Sequence, residues 1–435
     1  MKKFILFIFL IIQAGIIYAD DAPNTSPLFN LVLKNNMSEI DKLVIAGEDV
    51  NVIDDNGITP LTLAIETGNL EIARYLLEHD SDPDLAANKV NAGTPLTIAA
   101  YKGYFDIVKL LIYYGAYPQK SYNVSFGSTS VPKYPINMAG EGNHPEIVDY
   151  LDNIINNWEF PKSPHVVRSL IQWGEIAKAR DAIKSDFGVG GHDAYGRTTL
   201  MIAASDINYS RIIDLAVEYG ADPKAKDKEG KTLLHHYAMR RTERVDGIKQ
   251  CIDEFKLSVN DKDKFDNTPF LLACWNQCPE NIEVLLENGS DMSAKDKWGT
   301  PALSLTLKRG KNRDGDEPTD AVNLLIKKNV NIEAADDDGG TPIFYAVWKE
   351  LKECTELLLD KGVNVNVVQK NGWNLLHQAV NSRNEEIAVE FLKMILDKKP
   401  SVINGKTDGK TALMYAKENG YNQCVEMLKD AGATE

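Results

Sequence analysis

The side chains that could hold a metal ion are too scattered along the chain to form a metal site. Of the seven histidines, His235 and His236 are adjacent, so they point to different faces of a helix instead of forming the i, i+4 pair of zinc-binding helices. Cys274 and Cys278 do have i, i+4 spacing, but no second pair of ligands follows at zinc-ribbon distance. The sequence therefore predicts no metal and no cofactor.

The sequence also gives little support for a phosphate-binding loop, a calcium site or a catalytic nucleophile. The glycine-rich segment Gly188–Gly191 lacks the lysine and the Ser or Thr of a phosphate loop, which favours a turn leading into Asp193. Asp314, Asp316 and Glu317 could bind calcium loosely, but they lack the full ligand register, which favours a solvated acidic loop. No Gly-x-Ser-x-Gly elbow and no suitable cysteine–histidine set occurs in the sequence. We therefore expect a protein that is not an enzyme.

Composition and charge narrow the class of partner. With 43% hydrophobic and 26% charged residues, the 435-residue chain has the composition of a folded protein, not of a disordered one. Its formal net charge of −15 argues against general binding to nucleic acid or to anionic membranes. An acidic surface suits a neutral or basic protein partner, or it keeps a long molecule soluble.

The N-terminus has the pattern of a secretory signal peptide. Lys2 and Lys3 precede a nearly unbroken apolar run from Phe4 to Ile17, and Ala19 offers a small residue for cleavage. The alternative, an uncleaved anchor, needs about 20 apolar residues to span a bilayer, and the run is shorter. No later segment is apolar enough to cross a membrane. We therefore expect an exported protein, periplasmic or secreted through a bacterial-type signal, with no stable membrane insertion after cleavage.

The five cysteines leave at least one thiol unpaired in an exported protein. Cys251, Cys354 and Cys424 lie where the repeating unit described below places inward apolar residues. This position favours buried thiols that pack as small hydrophobic groups. A bridge from Cys251 to Cys274 or Cys278 stays open as the alternative.

One short unit, clearest from Asp54 to Asp84, sets the pattern for most of the chain. Asn56-Gly57 supplies a turn, because glycine takes positive φ without steric cost. Thr59-Pro60 then opens a first helix, since threonine can accept from a free amide and proline needs none. Gly68-Asn69 ends that helix before a second, amphipathic one. Such a helix pair cannot bury its apolar face alone, so it predicts neighbours of the same kind.

The unit recurs through the rest of the chain. Its further openings lie at Thr94, Thr198, Thr232, Thr268, Thr300, Thr341, Asn374 and Thr411. From Thr198 the steps are 34, 36, 32, 41, 33 and 37 residues, and the longest step contains the insertion Lys311 to Thr319. This regularity indicates a repeat protein.

The repeats resemble the ankyrin-repeat family. The resemblance rests on the Gly-x-Thr-Pro-Leu-like openings, the glycine between the helices and closing turns such as Gly220-Ala221-Asp222. It implies an all-α solenoid of about 10–11 repeats, each a helix pair joined to the next by a β-hairpin-like turn. His235 and His377 occupy the family's histidine position, and His144 follows an inter-helix glycine position. The resemblance implies that these histidines are structural.

The predicted organisation has five parts. They are a signal peptide at residues 1–19, a degenerate N-terminal capping repeat at 20–52, ankyrin repeats at 53–154, an irregular repeat and linker at 155–192, and ankyrin repeats at 193–435 with a C-terminal cap. Two loops, Gln119 to Lys133 and Ile155 to Pro164, could kink the stack or divide it into two arrays.

Aromatic side chains mark the predicted binding surface. The resemblance implies that the turn tips and the residues just before the inter-helix glycine face a partner on the concave side. The aromatic residues before the glycine are Tyr101, Trp173, Trp275 and Trp348, and those on turn tips are Tyr195, Phe265, Trp298 and Trp373. We expect these rings to be exposed, and Trp and Tyr dominate binding hot spots. The alternative is that some of them pack between adjacent repeats.

The sequence therefore predicts an exported, monomeric, non-catalytic scaffold that binds a protein partner through its concave face and turn tips. A secreted effector that engages a host protein is one alternative. A regulatory or catalytic protein with its activity in the irregular region 119–192 is another. The identity of the partner is not encoded in the repeat pattern, because one fold hosts many targets.

Overall fold

The chain divides into two compact units of similar size. The computed structural model describes residues 26–54, 57–85, 93–126, 129–157, 159–204, 210–240, 244–312 and 314–434. The predicted signal peptide, residues 1–19, lies outside the described residues. Unit 1 comprises Met1–Ala203 and Arg211–Asp222, and unit 2 comprises Ala204–Ser210 and Pro223–Glu435. Helices dominate both units.

Unit 1 contains paired helices and one hairpin. Its elements are α1 Pro27–Leu33, α2 Met37–Ile45, α3 Pro60–Glu66, α4 Leu70–Glu78, α5 Pro95–Lys102, α6 Phe105–Tyr113, β1 Tyr122–Phe126, β2 Thr129–Lys133, α7 Pro135–Glu141, α8 Pro145–Asp152, α9 Pro164–Gln172, α10 Ile176–Lys184, α11 Thr199–Ala203 and α12 Ser210–Glu218. A π-helical turn, Asn153–Asn157, extends α8. Each odd-numbered helix is the first of a pair.

Unit 2 repeats the same arrangement more regularly. Its elements are α13 Leu233–Ala238, α14 Val245–Asp253, α15 Pro269–Asn276, α16 Pro279–Glu287, α17 Ala302–Lys308, α18 Thr319–Lys327, α19 Pro342–Trp348, α20 Lys352–Asp360, α21 Leu375–Val380, α22 Glu385–Leu396, β3 Lys406–Thr407, β4 Lys410–Thr411, α23 Ala412–Glu418 and α24 Asn422–Asp430. The described residues thus hold twelve helix pairs, slightly more than the predicted number of repeats. In the part of the chain described here, none of the helices has the length and hydropathy that a bilayer-spanning helix requires.

The first helix of each pair begins and ends on local sequence chemistry. Thr59, Thr94 and Thr268 accept the amide three residues on, at 3.0, 3.2 and 3.3 Å, and a proline follows each of them. At the other end Gly103 has φ +77, and an added Cβ would lie 2.2 Å from the ring of His144. Glycine is therefore required at Gly103 for both conformation and space. These predicted caps are confirmed.

The core runs along the stack of pairs. The first helix α3 lies between α1 and α5, so Leu61 and Ile65 are completely buried. The second helix α4 buries one face only, through Ile72, Leu76 and Leu77. A helix that contacts neighbours on both sides needs apolar residues around most of its surface, whereas an outer helix needs one stripe. This difference matches the sequence of the repeats.

Backbone hydrogen bonds join consecutive turns of unit 2. Each bond runs from an amide in one turn to the carbonyl at the tip of the preceding turn: Lys264 to Glu229 at 2.7 Å, Lys297 to Phe265 at 2.9 Å, Asp337 to Trp298 at 3.3 Å and Lys370 to Asp338 at 2.9 Å. Only main-chain atoms take part in this turn ladder. The turns are therefore fixed relative to one another whatever side chains they carry.

Unit 1 departs from the regular pattern in two places. The segment expected to be a loop from Gln119 to Lys133 instead contains an antiparallel hairpin, in which Tyr122 pairs with Lys133. Aromatic and β-branched residues favour strands, which accounts for the difference. Farther on, α9 contacts the turn that closes the third helix pair, and Ser169 Oγ donates to the Gly115 carbonyl at 3.0 Å. The fifth pair therefore contacts the third pair directly, past the fourth.

The five cysteines are free and buried. The alternative of a disulfide from Cys251 to Cys274 or Cys278 is therefore wrong, and the thiols pack as small apolar groups. Burial raises the pKa of Cys278 and of Cys424 to about 11. A thiol with a raised pKa is a poor nucleophile, because the thiolate is the reactive form.

Candidate functional site

Turn aspartates position the aromatic tips of unit 2. The Asp263 carboxylate accepts the amides of Phe265 and Asn267 through one oxygen, at 2.8 and 2.9 Å. Asp296 holds Trp298 in the same way, with an amide distance of 3.0 Å. Both carboxylates are buried. The turn therefore fixes the backbone of the tip residue and leaves its side chain free to project.

Phe265 and Trp298 form a turn-tip pair. Their ring planes are nearly parallel, 8° apart, and their centroids are 6.2 Å apart. Lys297 Nζ lies 4.3 Å from the Phe265 centroid and 4.7 Å from that of Trp298, so one ammonium group contacts both rings. Trp298 is 54% exposed, while Phe265 is half-buried. The sequence prediction placed both rings correctly at turn tips, but it did not include the lysine.

A second group of rings lies at the C-terminal ends of α15 and α19. Trp275 and Trp348 are 37% and 44% exposed. Arg309 places its guanidinium carbon 5.6 Å from the Trp275 centroid and donates from Nη1 to the Trp275 carbonyl at 3.2 Å. Lys349 Nζ lies 3.9 Å from the Trp348 centroid. Each exposed tryptophan of this group therefore has a cation on its ring.

Tyr345 belongs to the second group of rings. Its ring lies 5.9 Å from that of Trp348, and Lys308 Nζ lies 5.5 Å from its centroid. The Tyr345 hydroxyl donates to the Asp336 carboxylate, and burial together with this bond raises the pKa of the phenol. The six residues Trp275, Lys308, Arg309, Tyr345, Trp348 and Lys349 are here named the cation–aromatic row. The row crosses three consecutive helix pairs within unit 2.

Unit 1 contains three of the predicted aromatic residues, namely Tyr101, Trp173 and Tyr195. Tyr195 is 64% exposed, and the guanidinium carbon of Arg197 lies 5.4 Å from its centroid. Asp193 accepts the Tyr195 amide at 3.0 Å, as the turn aspartates of unit 2 do. Tyr101 is half-buried, and its carbonyl accepts from His144 Nε2 at 3.1 Å. These two residues lie in a different unit from the cation–aromatic row.

A family model described as ankyrin repeats (3 copies) matches residues 28–122, 200–296, 288–369 and 352–434. These segments cover more than half of the chain and coincide with its helix pairs. The chain belongs to the ankyrin-repeat family. The predicted all-α ankyrin solenoid is confirmed, and ankyrin repeats imply a scaffold for protein–protein interaction.

Proteins similar to this chain occur in vertebrates and in a bacterium. The chain is 27% identical over 215 residues to the chicken nuclear factor NF-kappa-B p105 subunit, across 48% of this chain and 21% of the relative. It is 23% identical over 439 residues to the human transient receptor potential cation channel subfamily A member 1, across 95% of this chain and 37% of the relative. A solved ankyrin repeat domain from Acinetobacter baumannii AYE is 23% identical, with a TM-score of 0.41 over 46% of this chain and 98% of that one. The chain spans well under two thirds of the length of both curated relatives.

Two of the tryptophans that were predicted to be exposed on the binding surface, Trp173 and Trp373, are half-buried. Trp173 stacks on Tyr117 with centroids 4.6 Å apart. Trp373 donates from Nε1 to Gln378 at 3.0 Å and packs against Tyr415 of the next repeat, with centroids 5.2 Å apart. The expectation of exposure is wrong for these two rings, as it is for the half-buried Tyr101 and Phe265. The alternative of packing between repeats describes Trp173 and Trp373.

The position of Trp373 within its turn explains its burial. The Trp373 carbonyl accepts the Gln369 amide at 2.8 Å, just as the Asn267 carbonyl accepts that of Asp263 at 3.0 Å. Trp373 is therefore equivalent to Asn267, two residues after the tip. The tip of that ankyrin repeat is Asn371.

The family histidines are structural, as predicted. His235 Nδ1 accepts the Thr232 amide at 3.1 Å, and its Nε2 donates to the Asn267 carbonyl of the next repeat at 3.2 Å. Burial lowers the pKa of His235 to about 4. His377 makes the equivalent bond to the Lys410 carbonyl, and burial lowers its pKa as well. These rings join consecutive ankyrin repeats in their neutral form.

The acidic insertion of unit 2 is explained by packing, not by ligand chemistry. The Glu317 carboxylate is buried and accepts the Cys354 amide at 3.0 Å, at the start of α20. Asn312 accepts the amides of Asp314 and Asp316 at 2.9 and 2.8 Å, which closes the loop on itself. Among the described residues, no group of three or more potential ligands could hold a metal ion.

Proposed function

We propose that this ankyrin-repeat protein binds a protein partner through the cation–aromatic row and the turn-tip pair of unit 2. The observation that carries the proposal is the exposure of Trp275, Trp298 and Trp348, which are 37%, 54% and 44% exposed. The buried apolar side chains of the repeats already supply the stacking contacts, so packing does not require these rings. Exposed tryptophans with neighbouring arginine are the residue types that dominate interface energetics.

The backbone at two of these tryptophans is also held in place before any partner arrives. Asp296 fixes the backbone at Trp298, and Arg309 bonds to the Trp275 carbonyl. A backbone that is already ordered loses less conformational entropy on binding, so more of the contact energy becomes affinity. This preorganisation supports a binding role for the same residues.

We further propose that the protein is exported, monomeric and non-catalytic. Export is supported by the sequence of Lys2 to Ala19 and the shortness of its apolar run. Lack of catalysis is supported by the ankyrin fold, which is typically non-catalytic. Cell fractionation separates a periplasmic scaffold from a secreted effector that engages a host protein. Retention in the cytoplasm would contradict export and leave the binding proposal intact.

The binding proposal is tested by affinity capture in the native compartment, with three forms of the full chain as bait: the wild type, a double tryptophan variant and a control variant. The Trp275→Ala plus Trp348→Ala variant should lose a captured protein by more than about tenfold, since two hot-spot residues are removed. Tyr219→Ala is the matched control, because Tyr219 is 46% exposed but follows the second helix of a pair in unit 1. A partner retained equally by all three forms contradicts the proposal. Circular dichroism and unfolding curves should be the same for all three.

A further inference from the structure

We infer that the segment bound at the cation–aromatic row is an acidic peptide stretch that also carries apolar or aromatic side chains. This inference rests on the proposed function and specifies its partner. The row contains Lys308, Arg309 and Lys349, and Lys297 adds a fourth cation at the turn-tip pair. The chain as a whole has a formal charge of −15. A cluster of four cations on the aromatic rings of an acidic protein marks a surface for an acidic partner.

The three lysines of this surface are available to a ligand. Within the described residues, the ammonium groups of Lys297, Lys308 and Lys349 contact aromatic rings and form no salt bridge. An ammonium group has three donors, and contact with a ring face leaves them free to donate to a carboxylate. A carboxylate bound there would therefore form an ion pair with an ammonium group that is already held in position.

Three of the neighbouring carboxylates are already engaged within the fold. Asp296 accepts two amides of its own turn, at 3.0 and 2.8 Å. Asp336 does the same for its turn and also accepts from the Tyr345 hydroxyl. Glu350 accepts from the backbone and the guanidinium of Arg383, at 3.1 and 3.0 Å. These three carboxylates are thus hydrogen-bonded within the fold, while the ammonium groups of Lys308 and Lys349 contact aromatic rings at the surface.

The same geometry favours a peptide over a nucleic acid. Aromatic rings and cations also occur in single-strand binding sites, where a basic groove follows many phosphates. Here the cations lie on two consecutive repeats of one unit, and the chain as a whole is strongly acidic, so an extended polyanion meets repulsion beyond the row. A short acidic segment with apolar side chains matches both the charge and the exposed rings.

The inference is tested with synthetic probes and the full chain. The probes are a random glutamate–tyrosine copolymer, a lysine–tyrosine copolymer and a thymidine oligonucleotide, each measured by biolayer interferometry. The glutamate–tyrosine copolymer should bind best, and binding should weaken as NaCl rises from about 0.05 M to about 0.5 M. Lys308→Gln plus Lys349→Gln should weaken its binding by about threefold or more, since both lysines are half-buried and even a fully exposed charge contributes a fraction of a kcal/mol. Lys361→Gln plus Lys398→Gln is the matched control, because both lysines are exposed in unit 2 after second helices.

Each outcome decides the question. Loss of glutamate–tyrosine binding in the Lys308/Lys349 variant but not in the control supports the inference. It is overturned by equal or tighter binding of the lysine copolymer, by preference for the oligonucleotide, or by no measurable binding of the glutamate copolymer. Equal losses in the two lysine pairs also overturn it. If the glutamate–tyrosine copolymer does not bind, but a captured protein is lost in the Trp275/Trp348 variant, the proposed function stands and only this inference fails. If the captured protein is retained by the Trp275/Trp348 variant, the proposed function itself is contradicted.

Discussion

Acidification should loosen the repeat that contains His235. Its imidazole accepts the Thr232 amide through Nδ1 and donates through Nε2 to the Asn267 carbonyl. Protonation places a hydrogen on Nδ1, where it faces the hydrogen of that amide. Burial lowers the pKa of His235 to about 4, whereas an exposed histidine in the unfolded chain titrates near 6.5. The unfolded state therefore binds this proton more readily than the folded state.

The magnitude follows from this difference between the two pKa values. The stabilisation by the neutral ring is complete above about pH 6.5 and is lost as the pH falls towards 4. Each pH unit within that window removes about 1.4 kcal/mol of folding free energy. Between about pH 7 and about pH 5, His235 should therefore reduce stability by about 2 kcal/mol.

The assay compares the wild-type chain with His235→Gln by urea unfolding at these two pH values. Other groups also titrate in this range, but they do so in both proteins. The difference in unfolding free energy between the two proteins should therefore shrink by about 2 kcal/mol at the lower pH. Hydrogen exchange at the Thr232 amide reports the same event locally. A difference that stays constant between the two pH values would refute the assignment of His235 as a buried neutral acceptor.

Three further predictions concern the scaffold around the proposed surface. Asp296→Ala should lower stability by about 2 kcal/mol or more, since the amides of Trp298 and Thr300 lose their acceptor. Asp296→Asn should cost less, because its side chain keeps one acceptor oxygen. Hydrogen exchange at the Trp298 amide checks both expectations. Glu317→Ala should cost about 1 kcal/mol by uncapping α20, seen as faster exchange at the Cys354 amide than in Glu317→Gln. Trp373→Ala should lower stability by about 2 kcal/mol without changing partner capture; loss of capture with unchanged stability would contradict its packing role.

The regular parts of the fold were predictable because their chemistry is local. Thr59 and Thr268 accept amides three residues away, and the adjacent prolines fit the first helical turn, so short sequence windows are sufficient. Trp298 could be placed on a tip for the same reason, since its turn is closed by Asp296 only two residues earlier. Local motifs therefore define both the repeat and the exposed part of its surface.

The incorrect expectations about Trp173 and Trp373 concern contacts between repeats. The burial of Trp373 depends on Tyr415, which lies in the following repeat. The cations of the proposed surface were missed for a related reason. Lys308 contacts Tyr345 of the next helix pair, a contact that sequence spacing does not indicate. Side chains of this length reach several neighbours, and only the packed structure selects one of them.

The turn ladder has a consequence for how this protein can change over evolutionary time. The amide of Lys297 bonds to the carbonyl of Phe265, and the amide of Asp337 bonds to that of Trp298. The side chain at each tip takes no part in these bonds, so a mutation there leaves the register of neighbouring repeats intact. Glu229 and Asp338 occupy the same tip position as the two rings. One scaffold can therefore acquire a new specificity by single tip substitutions, without any change that would compromise its folding.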